Sequence, residues 1–566
     1  MRGTSRALSR RLSIRMVWNA APPDMDGLLL AVDVGTLSAR AGLFDATGRL
    51  IATASAGFKL LRPAPDESVY RFEEIWAAVA RAVRGALPCH PGAAGQVRGM
   101  AFDATSSLAL SHTGAPPLAE RADVFCWADH RGEALAETIT TTGDRLLDYT
   151  GGTLSPEMHL PKLLWLKRHD PAAWGRLTGA RDLCDALAWR ATGVDSHSLC
   201  GLACKWPYLP ADGPTAWRQA LLEALGIGDL PALGALSQAP RPVGAVHGHL
   251  APAAAAELGL LPGIPVATGL IDAEAGTLGA LDGGFMAAMN ETTVLIGGTS
   301  TCLMSFAAEE RRIPGVWGPF RDAVFPGLWL HEAGQSLTGA ALDAVLEQHP
   351  AGPRRAAPET HAAAAASILG LLEREGAAFA AGRHLVPDWL GNRSPLGDGR
   401  ARALVSGLGE ERSERDFLEA YYATARGIAL QVRHILDHLD AHGYAIRRVA
   451  LAGGHARNPL LVALYRDALE RELLLPQTQE PVLLGTAMAA AVAAGWHPDL
   501  LSALAAMGPD AEPQPADPSA ARAHGVAYGI YRRLFEARNL ALRDAAALMA
   551  MGRGAGRHAG SARGGG

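Results

Sequence analysis

The first half of the chain alternates apolar runs of strand length with helical patterns. Residues 28–56 contain three apolar runs separated by two turn signals, which predicts an antiparallel meander of three strands. Apolar positions at helical spacing predict a helix over Phe72–Leu87. Two further short segments, Val97–Phe102 and Ile264–Leu270, are mostly apolar and are predicted to be buried strands. This order is typical of a mixed α/β domain.

The second half repeats the same order of elements. Asn290–Phe306 predicts a hairpin, and apolar residues spaced three and four apart between Phe417 and Leu439 predict a long amphipathic helix. Arg448–Leu451 is a short strand, and a proline-rich loop precedes a last helix over Ala520–Met549. The repetition indicates an α/β fold built from two similar domains.

The length of the chain also favours two domains. At 566 residues it exceeds what one hydrophobic core usually organises, so domains of roughly 200 to 250 residues are expected. We place the N-terminal domain at residues 27–284 and the C-terminal domain at residues 285–550. Residues 1–26 carry arginines but no strand pattern, which indicates a disordered or mis-annotated extension. Residues 551–566 are rich in glycine and arginine and are predicted to be a disordered tail.

The net charge of the chain argues against nucleic acid and membranes as partners. Fifty-two basic and 57 acidic side chains give a formal net charge of −5, and this balance provides no basic surface for nucleic acid or for an anionic membrane. The longest uncharged apolar run, Pro481–Trp496, is too short to cross a bilayer. We therefore expect neither nucleic acid nor a membrane as a partner.

The six cysteines carry no Cys-x-x-Cys motif and no histidine-rich neighbour, so the sequence does not indicate a zinc site or a disulfide framework. Cys200 and Cys204 are four residues apart and could share one face of a helix, but two small buried thiols are the simpler interpretation. Unpaired cysteines fit a reducing compartment, so a cytoplasmic location is predicted.

Two distant turns share one design. Gly35-Thr36 and Gly298-Thr299 each interrupt an apolar run that then resumes as a strand, so each reads as a tight hairpin. A glycine there lets backbone N–H groups approach a phosphate, and the threonine hydroxyl adds a donor. Only the first copy carries a carboxylate, Asp33, which is placed to hold a metal ion. The pair predicts two halves that close on one nucleotide phosphate chain, and hence phosphoryl transfer.

Other nucleotide and acyl-transfer classes are not supported. The chain lacks the GxxxxGK motif of P-loop kinases and the His-Arg-Asp and Asp-Phe-Gly motifs of protein kinases. Gly334–Thr338 lacks the closing glycine of a hydrolase nucleophile elbow, and no paired histidine and aspartate accompany it.

A set of short motifs follows one order along nearly the whole chain. They are Asp33–Thr36 with Ser38 and Arg40, Trp127–Arg131, Gly269–Ala273, Gly297–Ser300, Gly391–Pro395, and Gly453-Gly454 with Asn458. Together they resemble the FGGY carbohydrate kinases. The resemblance implies a two-domain, actin-like (ribonuclease-H-like) ATPase fold with an interdomain cleft. It also implies ATP and Mg²⁺ as cofactors.

The resemblance assigns roles to particular residues. Asp272 is the expected general base for a sugar hydroxyl, although an N-cap for the helix that follows is the other interpretation. Asp33 is expected to position Mg²⁺. ATP is expected to bind at Gly35, Thr36, Gly298, Thr299, Gly453, Gly454 and Asn458.

The sugar site is also inferred from the resemblance. Phe102–Leu108 is similar to the pentulose-kinase branch that acts on D-ribulose. Trp127 is expected to form an apolar wall, with an ordinary core tryptophan as the alternative. Asn392-Arg393 is expected to be structural or cleft-forming. The residues expected to bind the sugar are Ala104, Trp127, Asp129, Lys205, Asp272 and Glu332.

These inferences lead to one function and its alternatives. The chain is expected to phosphorylate a terminal hydroxyl of a small-molecule sugar, D-ribulose first, with ATP as donor. L-Ribulose, xylulose or a polyol is the alternative within the same class. A non-sugar, chaperone-like ATPase is the alternative from another class. The oligomeric state is left open, a homodimer included.

Overall fold

The computed structural model describes the backbone of residues 25–410 and 412–560, and their side chains except those of residues 214–215 and 546–560. Of the predicted extension, residues 1–24 lie outside the described residues, as do residues 561–566 of the predicted tail. Within the described part of the chain, no helix is both long enough and apolar enough to span a bilayer.

Most strands belong to two large sheets, one in each half of the chain. The strands, in chain order, are β1 Leu28–Val34, β2 Ser38–Phe44, β3 Leu50–Gly57, β4 Val69–Tyr70, β5 Val97–Ala104, β6 Leu108–His112, β7 Val124–Phe125, β8 Leu177–Asp182, β9 Val246–His249, β10 Pro265–Ala267, β11 Leu270–Ile271, β12 Thr292–Gly297, β13 Thr301–Ala307, β14 Trp317–Arg321, β15 Trp329–Gln335, β16 His384–Val386, β17 Leu404–Ser406, β18 Arg448–Gly453, β19 Glu472–Pro476 and β20 Ala511–Gln514.

Helices cover these sheets. The α-helices, in chain order, are α1 Phe72–Ala86, α2 Ala93–Gln96, α3 Glu133–Thr140, α4 His159–His169, α5 Pro171–Trp174, α6 Leu183–Thr192, α7 Leu199–Lys205, α8 Gln219–Ala224, α9 Pro252–Leu258, α10 Asp272–Leu278, α11 Gly339–Gln348, α12 Pro358–Glu375, α13 Glu414–Ala441, α14 Pro459–Ala468, α15 Pro481–Ala493, α16 Leu500–Met507 and α17 Pro518–Gly560.

The first large sheet has the strand order β3-β2-β1-β5-β10-β9, with β11 paired to the end of β5. Its central strand, β1, pairs antiparallel with β2 and parallel with β5. Helices cover the sheet, so every residue of β1 is buried, and this explains its apolar sequence around the single acid Asp33.

The second large sheet has the order β14-β15-β13-β12-β18-β19-β20. Its central strand, β12, again pairs antiparallel with the next strand, β13, and parallel with a later strand, β18. The two halves therefore share one topology, as the repeated pattern of the sequence predicted. In both, the turn after the central strand lies at the same edge as the end of the neighbouring parallel strand.

The two halves are joined by a close helix pair. Helix α15 comes late in the chain but packs on β1 and β5 of the first sheet and on α10. A Cβ atom on Gly485 of α15 would lie 2.0 Å from the carbonyl oxygen of Ala275 in α10, and one on Gly279 would lie 1.9 Å from that of Pro481. Only glycine allows two backbones to approach this closely. The predicted N-terminal domain, residues 27–284, is thus completed by a helix from the second half.

Two elements differ from the sequence prediction. The strand predicted over Ile264–Leu270 is divided into β10 and β11, and between them Gly269 passes so close to β5 that a Cβ atom there would lie 2.2 Å from Phe102 O. The last helix, α17, runs to Gly560, so residues 551–560 of the predicted disordered tail have helical backbone. A helix that is already nucleated extends at little cost in free energy. The composition of residues 551–560 alone does not show that a helix precedes them.

Candidate active site

A cleft of about 420 Å³ opens where the ends of the two large sheets meet. Residues from both halves of the chain line it, including most of the residues that the sequence predicted. Those predicted residues are Asp33, Gly35, Thr36, Trp127, Lys205, Asp272, Gly298, Thr299, Glu332, Gly453 and Gly454. Because the predictions came from distant segments, their convergence on one cavity is a result of the fold.

Both Gly-Thr turns reach this cleft. The backbone N–H of Gly35 donates to Ser38 O at 3.0 Å, and that of Gly298 donates to Ser300 O at 2.8 Å, which closes each turn tightly. Gly453 ends β18 with φ of 80° beside the second turn, and a Cβ atom there would lie 2.5 Å from Gly297 O. Glycine at position 453 is therefore required by the contact with the second turn, and the approach of a phosphate or of adenine to these turns stays a prediction.

A buried carboxylate lies beside the first turn. Asp33 Oδ2 accepts a hydrogen bond from Arg40 Nε at 2.8 Å and another from Nη2 of the same guanidinium. Asp33 Oδ1 is buried, and the neighbouring carboxyl of Asp103 has a pKa raised well above its ordinary value by burial and by the charge of Asp33. Asp33 is among the residues that line the cleft, and a carboxylate in that position suits a hard cation such as Mg²⁺.

Asp272 is the first residue of helix α10, directly after the buried strand β11. Its Oδ1 accepts a hydrogen bond from Ala273 N at 2.8 Å. Burial, with the nearby negative charge of Asp33, raises the pKa of the Asp272 carboxyl to about 7. A carboxylate with a pKa close to neutral suits a general base, because it is basic enough to accept a proton and a substantial fraction of it is ionised at neutral pH.

A charged cluster forms the far side of the cleft. Glu332 lies 3.7 Å from Lys205 Nζ and is paired with Arg393 Nη2. Lys205 Nζ and Arg393 Cζ lie 4.5 and 3.9 Å from the ring centroid of Trp317. Although burial disfavours its charge, the two cations lower the pKa of the Glu332 carboxyl. This carboxylate is therefore fixed in its ionised form.

The sequence also matches a known family over both halves. Residues 28–279 match the N-terminal domain, and residues 293–494 the C-terminal domain, of the FGGY family of carbohydrate kinases. The chain belongs to this family.

Relatives and a solved structure agree with this assignment. An FGGY carbohydrate kinase domain-containing protein of Homo sapiens is 36% identical, with 84% of this chain and 90% of that protein covered. A D-ribulokinase of Saccharomyces cerevisiae is 30% identical, with 82% and 71% covered. The crystal structure of a xylulose kinase from Rhodospirillum rubrum superposes with a TM-score of 0.72 at 20% identity, covering 90% and 98%. The fold is therefore the two-domain, actin-like ATPase fold, and the protein is a carbohydrate kinase.

Three predicted site residues have other positions in this FGGY kinase: none of them is among the described residues that line the cleft. Ala104 is buried within β5. Asp129 is fully buried and accepts hydrogen bonds from Ser68 N at 2.7 Å and from the Arg131 guanidinium. Asn458 caps helix α14, because its Oδ1 accepts from Leu460 N at 3.0 Å. For Asp129 and for Asn458 Oδ1, a backbone or ion-pair partner within the protein already satisfies the polar atoms.

The cleft of this FGGY kinase also contains residues to which sequence reasoning gave no ligand role. Arg40 and Arg393 belong to two of the family motifs, but only the structure shows that both residues line the cleft. Glu274 follows Asp272 by two residues, a spacing that could have drawn attention to it. Glu157 has no motif around it, and no sequence signal would have found it.

Proposed function

We propose that this FGGY kinase transfers the γ-phosphoryl group of ATP to a terminal hydroxyl of D-ribulose. The observation that carries the proposal is Asp272, a carboxylate with a raised pKa in the cleft that the two Gly-Thr turns from opposite halves also line. The 30% identity to a D-ribulokinase over most of the chain supports the choice of sugar.

The nucleotide side of the site is assigned to the glycine-rich turns. Backbone N–H groups near Gly35 and Gly298 and the hydroxyls of Thr36 and Thr299 would donate to the phosphate oxygens. The Gly453-Gly454 turn would lie beside the adenine. The carboxylate of Asp33 would hold hydrated Mg²⁺, which supplies positive charge to the phosphate chain when it is bound.

The sugar side is assigned to the cluster around Glu332. Its two cations, Lys205 and Arg393, face the acidic side chains of Glu332 and Glu157, so this wall carries no excess positive charge. Burial, followed by the charge of Glu332, raises the pKa of Glu274 to about 8 and keeps it mostly uncharged at neutral pH. A wall of balanced charge favours a neutral polyhydroxylated sugar over an aldonic acid.

The reaction then needs a base and correct positioning. Asp272 would accept the proton of the terminal hydroxyl as its oxygen attacks the γ-phosphorus and ADP departs. The indole N–H of Trp127 donates to Thr36 Oγ1 at 3.1 Å, which connects the proposed sugar wall to the first phosphate turn. This contact would hold the sugar hydroxyl and the γ-phosphate at a fixed distance and orientation.

The test is a coupled ADP-release assay with Mg-ATP and D-ribulose, L-ribulose, D-xylulose, ribitol, glycerol and D-gluconate. D-Ribulose should give the highest kcat/KM and D-gluconate the lowest. Asp272→Asn should lower kcat by about two orders of magnitude or more, because general bases contribute roughly 10²–10⁴.

The control is Asp148→Asn, which removes a surface pair with Arg312 at 2.9 Å and should leave turnover near wild type. If a different sugar is the best substrate, the proposed specificity for D-ribulose is wrong, but the assignment as a sugar kinase stands. Wild-type turnover in Asp272→Asn, measured when chemistry limits the rate, would remove the proposed base.

A further inference from the structure

A cluster of soft and hard ligand atoms lies beneath the floor of the cleft. Cys200 and Cys204 are one turn apart on α7, and Glu274 lies on α10; one ligand atom from each lies within 4.8 Å of the others. All three side chains are almost completely buried. Two segments more than sixty residues apart thus bring together two thiols and one carboxyl.

The hydrogen bonding of this cluster is incomplete. Cys204 Sγ donates to Glu274 Oε1 at 3.4 Å. Glu274 Oε2 is buried and has no hydrogen-bond partner among the described residues. An unpartnered buried carboxyl oxygen is costly and calls for a ligand.

We propose that Cys200, Cys204 and Glu274 bind a divalent thiophilic cation, Zn²⁺ or Cd²⁺, beside the catalytic cleft. Two sulfurs and one carboxylate oxygen are donors that these cations prefer. Donor atoms around a tetrahedral zinc lie roughly 3.7 Å apart, so small side-chain rotations would close the site. Because Glu274 also lines the cleft, a cation bound here would lie next to the cleft.

Binding of a cation would change the charge of this buried cluster. Binding would release the two thiol protons and the carboxyl proton to solvent, and the cation with its three anionic ligands would carry one net negative charge. Burial raises the pKa of both Cys204 and Glu274, so the free cluster is mostly protonated and a bound cation must displace these protons; the positive charge of Lys205, the next residue after Cys204, partly offsets the effect of burial. Asp33, whose oxygens suit Mg²⁺, is in a separate part of the cleft and offers no sulfur.

A cation bound to Cys200, Cys204 and Glu274 should affect catalysis. Glu274 is two residues after Asp272 on α10, so a cation that ties this helix to α7 would restrain the proposed base. Inhibition by the cation rests on the proposed role of Asp272, whereas the binding itself does not.

The experiment titrates CdCl₂ into the full chain carrying Cys89→Ser, which removes an exposed thiol, in buffer with excess Mg²⁺. Equilibrium dialysis counts bound cadmium, and the ultraviolet sulfur-to-cadmium charge-transfer band reports thiolate ligation. The expected result is one Cd²⁺ per chain with this band, and ADP release from D-ribulose and Mg-ATP should fall as the band appears.

Two sets of variants test the assignment. The band should be lost in the double variant Cys200→Ala with Cys204→Ala, and Glu274→Gln should weaken cadmium binding at least tenfold. Cys184→Ala changes a buried cysteine outside the cluster, and Cys302→Ser changes a cysteine elsewhere in the cleft. Both variants should keep the charge-transfer band and the cadmium affinity of the parent protein. Circular dichroism confirms that each variant is folded.

Two results would overturn the site: no band in the parent protein at millimolar cadmium, or an unchanged band in Glu274→Gln together with its loss in Cys302→Ser. Cadmium binding without inhibition would leave the site in place and overturn the proposed restraint of α10, while the role of Asp272 is tested separately by Asp272→Asn.

Discussion

The close contact between α10 and α15 makes Gly485→Ala a sharp test of how the two halves are joined. In an exposed helix, replacing glycine with alanine stabilises by about 1 kcal/mol, because alanine loses less backbone entropy. At position 485 the new Cβ atom would lie 2.0 Å from Ala275 O, 2.9 Å from Ala275 C and 3.0 Å from Gly279 N. All three are backbone atoms, so no side chain can rotate away.

The expected magnitude follows from this overlap. A carbon and an oxygen in ordinary contact lie about 3.5 Å apart, so the helices must separate by roughly 1.5 Å at this point. Overpacking of this kind costs about 1–3 kcal/mol or more, which exceeds the gain in helix propensity. Since one kcal/mol corresponds to about 2–4 °C for a domain of this size, Tm should fall by several degrees.

The assay compares thermal unfolding and kcat/KM of wild type, Gly485→Ala and Gly370→Ala. Gly370 is in the middle of α12, and a Cβ atom there would meet only the flexible end of Arg374, at 3.4 Å. Gly370→Ala should keep or slightly raise Tm. A Gly485→Ala protein that melts at or above the wild-type temperature would refute the proposed close packing.

Three further predictions concern the cleft. Burial and the charge of Asp33 raise the pKa of Asp272 to about 7, and only the ionised carboxylate accepts a proton. We therefore expect kcat/KM to fall about tenfold from pH 8 to pH 6. A pH profile that is flat over this range would mean that Asp272 has an ordinary carboxyl pKa. Asp33→Asn should greatly weaken use of Mg-ATP but leave calorimetric D-ribulose affinity without nucleotide nearly unchanged, and loss of sugar affinity in a folded variant would place Asp33 in the sugar site. D-Ribulose with a non-hydrolysable ATP analogue should reduce the radius of gyration in small-angle scattering, whereas an unchanged radius at saturation would argue against cleft closure.

The sequence by itself determined the repeated α/β pattern and the two Gly-Thr turns. These features are local: a strand, a turn and a helix are each specified by residues close together in the chain. The hairpin of β1 and β2 and the long helix α13 accordingly have nearly the predicted bounds. The family was indicated in the same way, because each of its motifs is a short run of neighbouring residues.

The tertiary structure decided which polar groups face the cleft. Asp129 and Asn458 stand in the expected motifs, yet Arg131 and the backbone of α14 satisfy them. Hydrogen-bond partners are chosen by three-dimensional proximity, and a sequence motif does not show whether a local partner has already taken a group.

Long-range packing also created features without any local sequence signal. Helix α15 returns to the first sheet, Arg393 crosses to Glu332, and Glu274 meets Cys200 and Cys204 on another helix. Each contact joins residues that are far apart in sequence, so each depends on how the whole chain closes on itself. Local propensity carries no information about that closure, and for this reason only the folded chain revealed the joined domains, the charged wall and the proposed cation site.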